Sequence, residues 1–156
     1  MIIITYFVVV ILSFIAMEFV AWFTHKYVMH GFLWVLHKDH HTNENKGFFQ
    51  KNDAFFLIFA IPGATLTIWG AIEQFSYQFW MGLGITSYGF TYFLLHEVYI
   101  HRRFKWLKWI KFPYFVALRK AHRVHHKYIT KKPGENFGLL VFPLKYYFEA
   151  KKELTE

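Results

Sequence analysis

The sequence predicts an all-α integral membrane protein with three transmembrane helices. Of its 156 residues, 55% are hydrophobic and 23% aromatic, whereas only 18% are charged. Three long apolar segments alternate with basic ones, and all ten histidines fall within two blocks, residues 25–41 and 96–126. No linker or change of composition divides the chain, so residues 1–156 are expected to form a single membrane-embedded domain.

The first apolar segment, residues 2–23, contains one charged residue, Glu18. A helix of this length crosses a hydrocarbon layer of about 30 Å. The basic region and small-residue cleavage site of a secretory signal peptide are missing from it, which favours a membrane-spanning helix.

Residues 54–71 and 79–95 are two further apolar segments, and no Lys or Arg occurs between Lys51 and Arg102. The short polar stretch 72–78 joins the two segments, which are therefore expected to form a transmembrane hairpin. Small residues let membrane helices approach closely. Three glycines therefore predict a close approach by the second arm of the hairpin: Gly82, Gly84 and Gly89.

The distribution of basic residues predicts the orientation. All 18 Lys and Arg residues lie either between Lys26 and Lys51 or from Arg102 onward. The positive-inside rule places both regions, and with them both histidine blocks, on the cytoplasmic side. The protein is therefore expected to be a multi-pass protein of the cell membrane, with residues 72–78 on the outer side.

The last third of the chain is less regular. Residues 106–115 mix aromatic residues with lysines, as in a segment lying at the membrane interface, and Pro113 is expected to interrupt it. Residues 131–134 mark a loop. Residues 137–148 are apolar but short and contain Pro143. They are expected to be re-entrant or to lie on the surface, with a fourth transmembrane helix left as the alternative.

The histidines repeat two spacings in the same order. The pairs have the spacing H-x4-H and the triplets H-x2-H-H, in the order His25 and His30, His37, His40 and His41, His96 and His101, His122, His125 and His126. Residues at i, i+3 and i+4 share a helix face, so each triplet is expected to hold one side of a metal. Residues five apart in an α-helix differ by about 140° in direction. One member of each pair should therefore lie at a helix end or a distortion.

The clusters predict a site for two transition-metal ions. A single histidine among apolar residues is more often a hydrogen-bonded core residue, but no histidine lies outside the two blocks. Neutral imidazole suits iron, zinc, copper and nickel, whereas magnesium and calcium prefer oxygen. Eight to ten ligands exceed what one ion takes, so two ions are expected on the cytoplasmic side.

The absence of cysteine excludes disulfides, cysteine-bound iron–sulfur clusters and a haem thiolate on this chain. No phosphate-binding or nicotinamide fingerprint occurs either, so electrons for any redox chemistry must come from another protein. The net charge of +8 suits an acidic carrier such as a ferredoxin. The alternative is that the basic residues follow the positive-inside rule and bind anionic membrane lipid. Nothing indicates a nucleic-acid partner, and the oligomeric state stays open.

Three acidic residues are candidates for supporting the metal ligands. Glu18 lies seven residues before His25, two helical turns away, and is ionisable within a predicted span. It is expected to hold a ligand histidine by a hydrogen bond, as metal-bound imidazoles require. Glu97 and Asp39 lie beside histidines and are expected either to do the same or to be solvated loop charges.

Several motifs resemble a known family. The histidine spacing, Met17-Glu18-Phe19-Val20, the run HKYVMHG at 25–31, Asn52-Asp53 and Ala121-His122-Arg123-Val124-His125-His126 are similar to the bacterial β-carotene 3-hydroxylases. That family belongs to the fatty acid hydroxylase and sterol desaturase superfamily. The resemblance covers residues 17–143, and the chain lengths are also similar.

This resemblance implies a non-haem di-iron monooxygenase that uses O2 and electrons from reduced ferredoxin. Such enzymes hydroxylate carbon 3 of each β-ionone ring, converting β-carotene through β-cryptoxanthin to zeaxanthin. Carried over position by position, all ten histidines are expected to be iron ligands or their close surroundings. No other catalytic residue is predicted.

An apolar substrate would remain in the bilayer and reach the metals between aromatic-rich helices. The candidates for the wall of that path are Phe19, Trp22, Phe23, Phe90, Tyr92 and Phe93. The alternative for each is ordinary helix packing or an interfacial aromatic belt.

Two other functions fit the histidine clusters. A fatty acyl or sterol hydroxylase or desaturase, or a carotenoid ketolase, would share the metal site. A membrane zinc or copper carrier or sensor is the non-enzymatic alternative, although transport sites usually lie near the membrane midplane. Zinc has no redox chemistry and would not support hydroxylation.

Overall fold

A computed structural model describes residues 2–42, 47–128 and 134–156. Every regular element within these ranges is helical, as the sequence predicts. The predicted loop at 131–134 lies outside the described residues except for its last position.

The N-terminal half contains two long helical stretches. Helix α1, Ile2–Phe23, continues into a π-helix, Thr24–Phe32, and the short helix α2 covers Trp34–Thr42. A single 3₁₀ turn, Lys51–Asp53, then leads into α3, Ala54–Ile72.

The C-terminal half begins with α4, Tyr77–Tyr92, which continues into a second π-helix, Phe93–Ile100. Helix α5, Pro113–His125, and helix α6, Leu144–Glu153, complete the fold. Pro113 begins α5 and does not interrupt a helix, because proline is well tolerated in the first helical turn, where its missing N–H leaves no bond unmade.

Two helices within the described ranges are long and apolar enough to cross a membrane, Ile2–Phe32 and Lys51–Ile72. They contain the first two predicted spans. The third predicted span is also helical, as α4 and the start of the second π-helix, but it is not one of the two helices that are long and apolar enough to cross a membrane. The number of three spans therefore stays a prediction.

Glycines determine how the long helices pack. A Cβ atom on Gly82 would lie 2.5 Å from the backbone nitrogen of Thr67 in α3, and one on Gly84 would lie 2.5 Å from the carbonyl oxygen of Val10 in α1. The predicted close approach is thus confirmed at these two positions. It is wrong for Gly89, where an added Cβ would meet nothing within 4 Å.

No fourth transmembrane helix occurs in the described part of the chain at residues 137–148. Residues 134–143 form no regular element and bend at residues 138–140, and α6 has only 10 residues, about 15 Å of helix against about 30 Å of hydrocarbon. Helix α6 instead packs along α5 through small and aromatic side chains, namely Ala117, Ala121, Tyr146 and Ala150.

Candidate metal centre

The two π-helices explain the H-x4-H spacing. In a π-helix each N–H bonds to the carbonyl five residues earlier, so residues five apart lie on adjacent turns of one face. His25 and His30 lie in the first π-helix. His96 lies in the second, and the backbone N–H of His101 bonds to the carbonyl of His96 at 2.9 Å. The predicted distortion is therefore confirmed, and it lets both members of each pair face the centre.

Nine of the ten histidines form two groups in which candidate ligand atoms lie within 4.8 Å of one another. The five-histidine group consists of His25, His30, His37, His41 and His125. The four-histidine group consists of His40, His101, His122 and His126. The tenth, His96, lies beside the four-histidine group, with its ring centroid 4.6 Å from that of His101.

The grouping divides both H-x2-H-H triplets, so the prediction that each triplet serves one metal is wrong. In α2, His37 and His41 join the five-histidine group, while His40 joins the other. Helix α5 does the reverse: His122 and its neighbour four residues on join the four-histidine group, and His125 crosses over. The i, i+4 pair stays together because one helical turn aligns it, whereas the i+3 residue is turned towards the neighbouring group.

Within each group, several ring nitrogens lie 2.8 to 3.1 Å apart, which is close enough for them to bind one metal ion. The Nε2 atom of His37 lies 3.1 Å from Nε2 of both His25 and His41, and Nε2 of His122 lies 2.9 and 2.8 Å from Nε2 of His101 and His126. Metal–imidazole bonds of about 2.1 Å place two nitrogens about 3.0 Å apart at 90° and about 3.4 Å apart at a tetrahedral angle. The spacing therefore fits several imidazoles of one group binding the same ion.

These contacts are not hydrogen bonds between neutral rings. His25 Nδ1 donates to the carbonyl oxygen of Phe137 at 2.9 Å, and His37 Nδ1 donates to Oδ1 of Asn52 at 2.6 Å. Each neutral ring then has a lone pair on Nε2, and the two lone pairs face each other. Such an arrangement is repulsive unless a cation lies between the nitrogens, so the donor set fits a metal ion.

The four-histidine group also contains a ring nitrogen whose surroundings fit a metal ion. His40 Nδ1 bonds to Oε1 of Gln50 at 2.9 Å, and its Nε2 is buried without a hydrogen-bond partner among the described residues. Buried polar atoms are almost always paired. An unpaired ring nitrogen beside three other imidazoles is therefore a further fit to a metal ion.

Burial keeps the imidazoles neutral. It lowers the pKa of His40 to about 4, with a further contribution from His96, and the pKa of His125 to about 3, with a further contribution from His30. Burial also lowers the pKa of His122. Because only the neutral ring offers a lone pair, these residues are ready to bind a metal at pH 7.

A carboxylate supports the four-histidine side. Glu97 Oε1 accepts a hydrogen bond of 2.7 Å from His96 Nδ1, and its Oε2 pairs with Arg103 at 2.7 Å. Arg103 also pairs with Asp53, at 2.7 and 2.9 Å, and these partners raise its pKa. The expectation that Glu97 holds a histidine is confirmed.

Glu18 does not hold a histidine, which corrects the expectation from its position along α1. Its Oε1 accepts hydrogen bonds of 2.8 to 3.0 Å from three consecutive backbone N–H groups, those of Leu139, Leu140 and Val141, and its Oε2 accepts one of 2.7 Å from Tyr88. Its face of α1 meets the irregular segment 134–143, not the imidazoles. Glu18 therefore fixes the segment that contains Phe137, the acceptor of His25.

Asp39, like Glu18, accepts a hydrogen bond from the backbone and not from a histidine. Its Oδ2 accepts a bond of 2.7 Å from the backbone N–H of Lys51. It therefore connects α2 to the turn that carries Asn52.

Several supporting residues could not be found by counting histidines. The acceptors of His25 and His125 are the backbone carbonyls of Phe137 and Glu135, which leave no signal in the side-chain pattern. Asn52 and Gln50 are side-chain acceptors, and their signal is a pair of amides within the polar stretch just before an apolar helix.

The predicted aromatic wall is divided between two places. Tyr92 and Phe93 line a cavity of about 350 Å³ beside α3 and α4. Phe19 and Trp22 line a more open cavity between α1 and the irregular segment 134–143. Phe23 and Phe90 line neither cavity and are 47% and 63% exposed, so their place in the wall stays a prediction.

Comparisons with known proteins define the class. A family model of fatty acid hydroxylases matches residues 10–149. The chain belongs to the fatty acid hydroxylase family.

Its relatives narrow this class. A protein named β-carotene hydroxylase from Pseudescherichia vulneris is 41% identical over 134 residues, which cover 85% of this chain and 74% of that protein. One of the same name from Pantoea ananas is 36% identical, covering 86% of this chain and 76% of its own length. A chloroplastic β-carotene 3-hydroxylase from an Oncidium hybrid cultivar is 35% identical, covering 92% of this chain and 45% of that protein. No solved structure matches the chain.

Proposed function

We propose that this protein hydroxylates carbon 3 of the β-ionone rings of β-carotene, giving β-cryptoxanthin and then zeaxanthin, at a centre of two iron ions. The observation that carries the proposal is the pair of histidine groups, in each of which the candidate ligand atoms lie within 4.8 Å of one another. The bacterial relatives named β-carotene hydroxylase, at 36 to 41% identity over most of the chain, support the substrate.

The histidines of the two groups are the proposed iron ligands, with His96 as a further ligand or a neighbour. Bound iron supplies the redox chemistry that activates O2, so that one oxygen atom enters the C–H bond and the other leaves as water, with two electrons and two protons from outside. The imidazoles hold the metals, and Glu97, Asn52 and the backbone carbonyls of the segment 134–143 orient the rings.

The protein contains no group able to deliver the two electrons. A reduced ferredoxin is the proposed donor, and the net charge of +8 would attract an acidic protein. Helices α1, α3 and α4 are the proposed spans of the cell membrane, with both histidine groups on the cytoplasmic side. This orientation follows the basic residues, which flank the same ends of the helices as the histidines.

Pigment chromatography tests the reaction. In cells that accumulate β-carotene and supply ferredoxin, the native protein is expected to produce singly and doubly hydroxylated carotenoids. His122→Ala should produce none. Arg123→Ala, an exposed neighbour on the same helix, is the matched control and should retain production. Unchanged β-carotene with folded, iron-loaded native protein would refute the substrate, and oxidised acyl lipids, sterols or keto-carotenoids would identify a relative of the same class.

Metal analysis separates the enzyme from a metal carrier. Protein isolated from native membranes is expected to contain about two irons per chain with an O2-dependent spectrum. Tightly bound zinc or copper with no reaction on exposure to O2 would favour the carrier. Zinc after overexpression does not decide between them, because zinc outcompetes ferrous iron for such ligands.

The proposed orientation is tested by cysteine labelling, for which the natural chain offers a cysteine-free background. Glu73→Cys lies in the turn between α3 and α4, and Lys127→Cys follows α5; both positions are exposed. A thiol reagent that cannot cross membranes should label position 73 in intact cells and position 127 only after lysis. Labelling of both in intact cells would contradict the proposed orientation.

A further inference from the structure

The cavity beside α3 and α4 has largely aromatic walls. Its volume is about 350 Å³. Phe48, Phe49 and Phe56 form its exposed side, whereas Phe55 and Tyr88 are buried at its inner side. Cavities of about 300–1,000 Å³ accommodate drug-sized organic molecules, so this one has room for a substituted ring but not for a whole carotenoid.

The inner end of this cavity is separated from the five-histidine group by one residue and from the four-histidine group by two. Asn52 lines it and bonds to His37 of the five-histidine group at 2.6 Å. Tyr92 also lines it, with its ring centroid 4.9 Å from that of His96, beside the four-histidine group. A ring in this cavity would therefore point its far edge towards the centre between the two groups.

Gly89 is the feature of the wall that packing does not explain. Glycine weakens the interior of a helix, and Gly82 and Gly84 on α4 have a reason to be glycine, since any side chain there would collide with a neighbouring helix. An added Cβ on Gly89 would meet nothing within 4 Å, and Gly89 lines the cavity. Its missing side chain keeps cavity volume free.

We propose that this cavity receives the cyclic end group of the carotenoid and that Gly89 determines which end groups fit. The proposal rests on the proposed carotenoid hydroxylation. The conjugated chain would leave past Phe56 into the bilayer, while the ring lies between Phe55 and Gly89. The polar inner end, with Asn52 and the Asp53–Arg103–Glu97 ion pairs, lies where the hydroxyl group forms.

The other large cavity is a weaker candidate for the ring. It lies between α1 and the segment 134–143, and the Phe137 ring stands between it and the five-histidine group. The centroid of that ring lies 5.6 Å from the ring centroid of His25 and 5.1 Å from that of His125. Its carboxylate, Glu18, is already occupied by three backbone N–H groups and Tyr88.

A series of side chains of increasing size at position 89 tests the proposal. Gly89→Ala should retain hydroxylation within about threefold, whereas Gly89→Phe should reduce it at least tenfold while keeping the iron content of the native protein. Met81→Phe places the same side chain at an exposed position of the same helix and should retain activity. Native hydroxylation by an iron-loaded Gly89→Phe variant would overturn the proposal.

A labelling experiment tests the cavity without measuring activity. Gly89→Cys should react with N-ethylmaleimide, and β-ionone, the free ring end group, should slow that reaction at least threefold. Phe90→Cys, on the outer face of α4, should react at a rate that β-ionone does not change. Protection by palmitate but not by β-ionone, equal protection at both positions, or no protection at position 89 would each overturn the proposal.

The two experiments separate the two failures. If the native protein leaves β-carotene unchanged but β-ionone still protects position 89, the proposed function fails while the ring site stands. If native hydroxylation occurs and both tests at position 89 fail, the function stands and this cavity is not the ring site.

Discussion

The five-histidine and four-histidine groups have the same kind of ligand atom but are held in different ways. In the five-histidine group, four of the five side chains are buried, and the Nδ1 atoms of His25, His37 and His125 bond to neutral acceptors, namely two backbone carbonyls and the amide of Asn52. In the four-histidine group, two of four are half-buried, and the adjacent His96 bonds to a carboxylate that is itself paired with Arg103.

The difference shows how one ligand type can produce two unlike sites. A carboxylate bonded to an imidazole makes that ring a stronger electron donor than a carbonyl does. The two groups are nevertheless coupled, because α2 and α5 each contribute to both, and the rings of His41 and His126 stack across the boundary at 4.3 Å. A shift of either helix would change both sites together.

The largest expected effect comes from removing one ligand of each group. His37→Ala and His122→Ala should each lower turnover by about 100-fold or more, because even the loss of a supporting residue costs about 10–100-fold. If the groups bind separate ions, each variant should retain about one iron. Iron analysis with hydroxylation assays checks this, and equal loss of both irons in either variant would show a single shared site.

The next effect separates the charged support from the neutral one. Glu97→Gln keeps the shape but removes the charge beside His96, and turnover should fall by about 10–100-fold. The change should be seen in the spectrum of one iron only. Asp53→Asn removes a charge from the same arginine without contacting a histidine, so it should cost less. An equal loss in the two variants would mean that Arg103, and not the histidine contact, accounts for the effect.

The smallest effect concerns the segment that supports the five-histidine group. Glu18→Ala leaves three backbone N–H groups without an acceptor and should lower the free energy of unfolding by about 1–3 kcal/mol. The iron in the five-histidine group should fall first, because Phe137, whose carbonyl oxygen accepts the hydrogen bond from His25, lies in the same segment. Thermal unfolding in detergent and iron analysis measure both, with Glu73→Ala as an exposed control. A native iron content in Glu18→Ala would disprove the link to His25.

Much of the fold follows from local patterns in the sequence. The apolar segments correspond to α1, α3 and α4 because each is long and carries few charges. The H-x4-H spacing predicts a helix end or a distortion at each pair, and the structure shows that this distortion is a π-helix. The 137–148 segment shows the limit, since apolar composition and length alone did not separate a re-entrant segment from a fourth span. Its backbone is held by Glu18, more than 100 residues earlier.

The sequence by itself determined the imidazole ligand type and the helices that carry the histidines, and it predicts two metal ions. Only the tertiary structure decided which histidines belong together, that Glu18 supports a backbone segment, and that Gly89 faces open space. Sequence spacing determines directions around one helix axis, because helical geometry is local. The division of each triplet depends on how α2 and α5 lie against each other, and that is set by contacts between residues far apart in the chain.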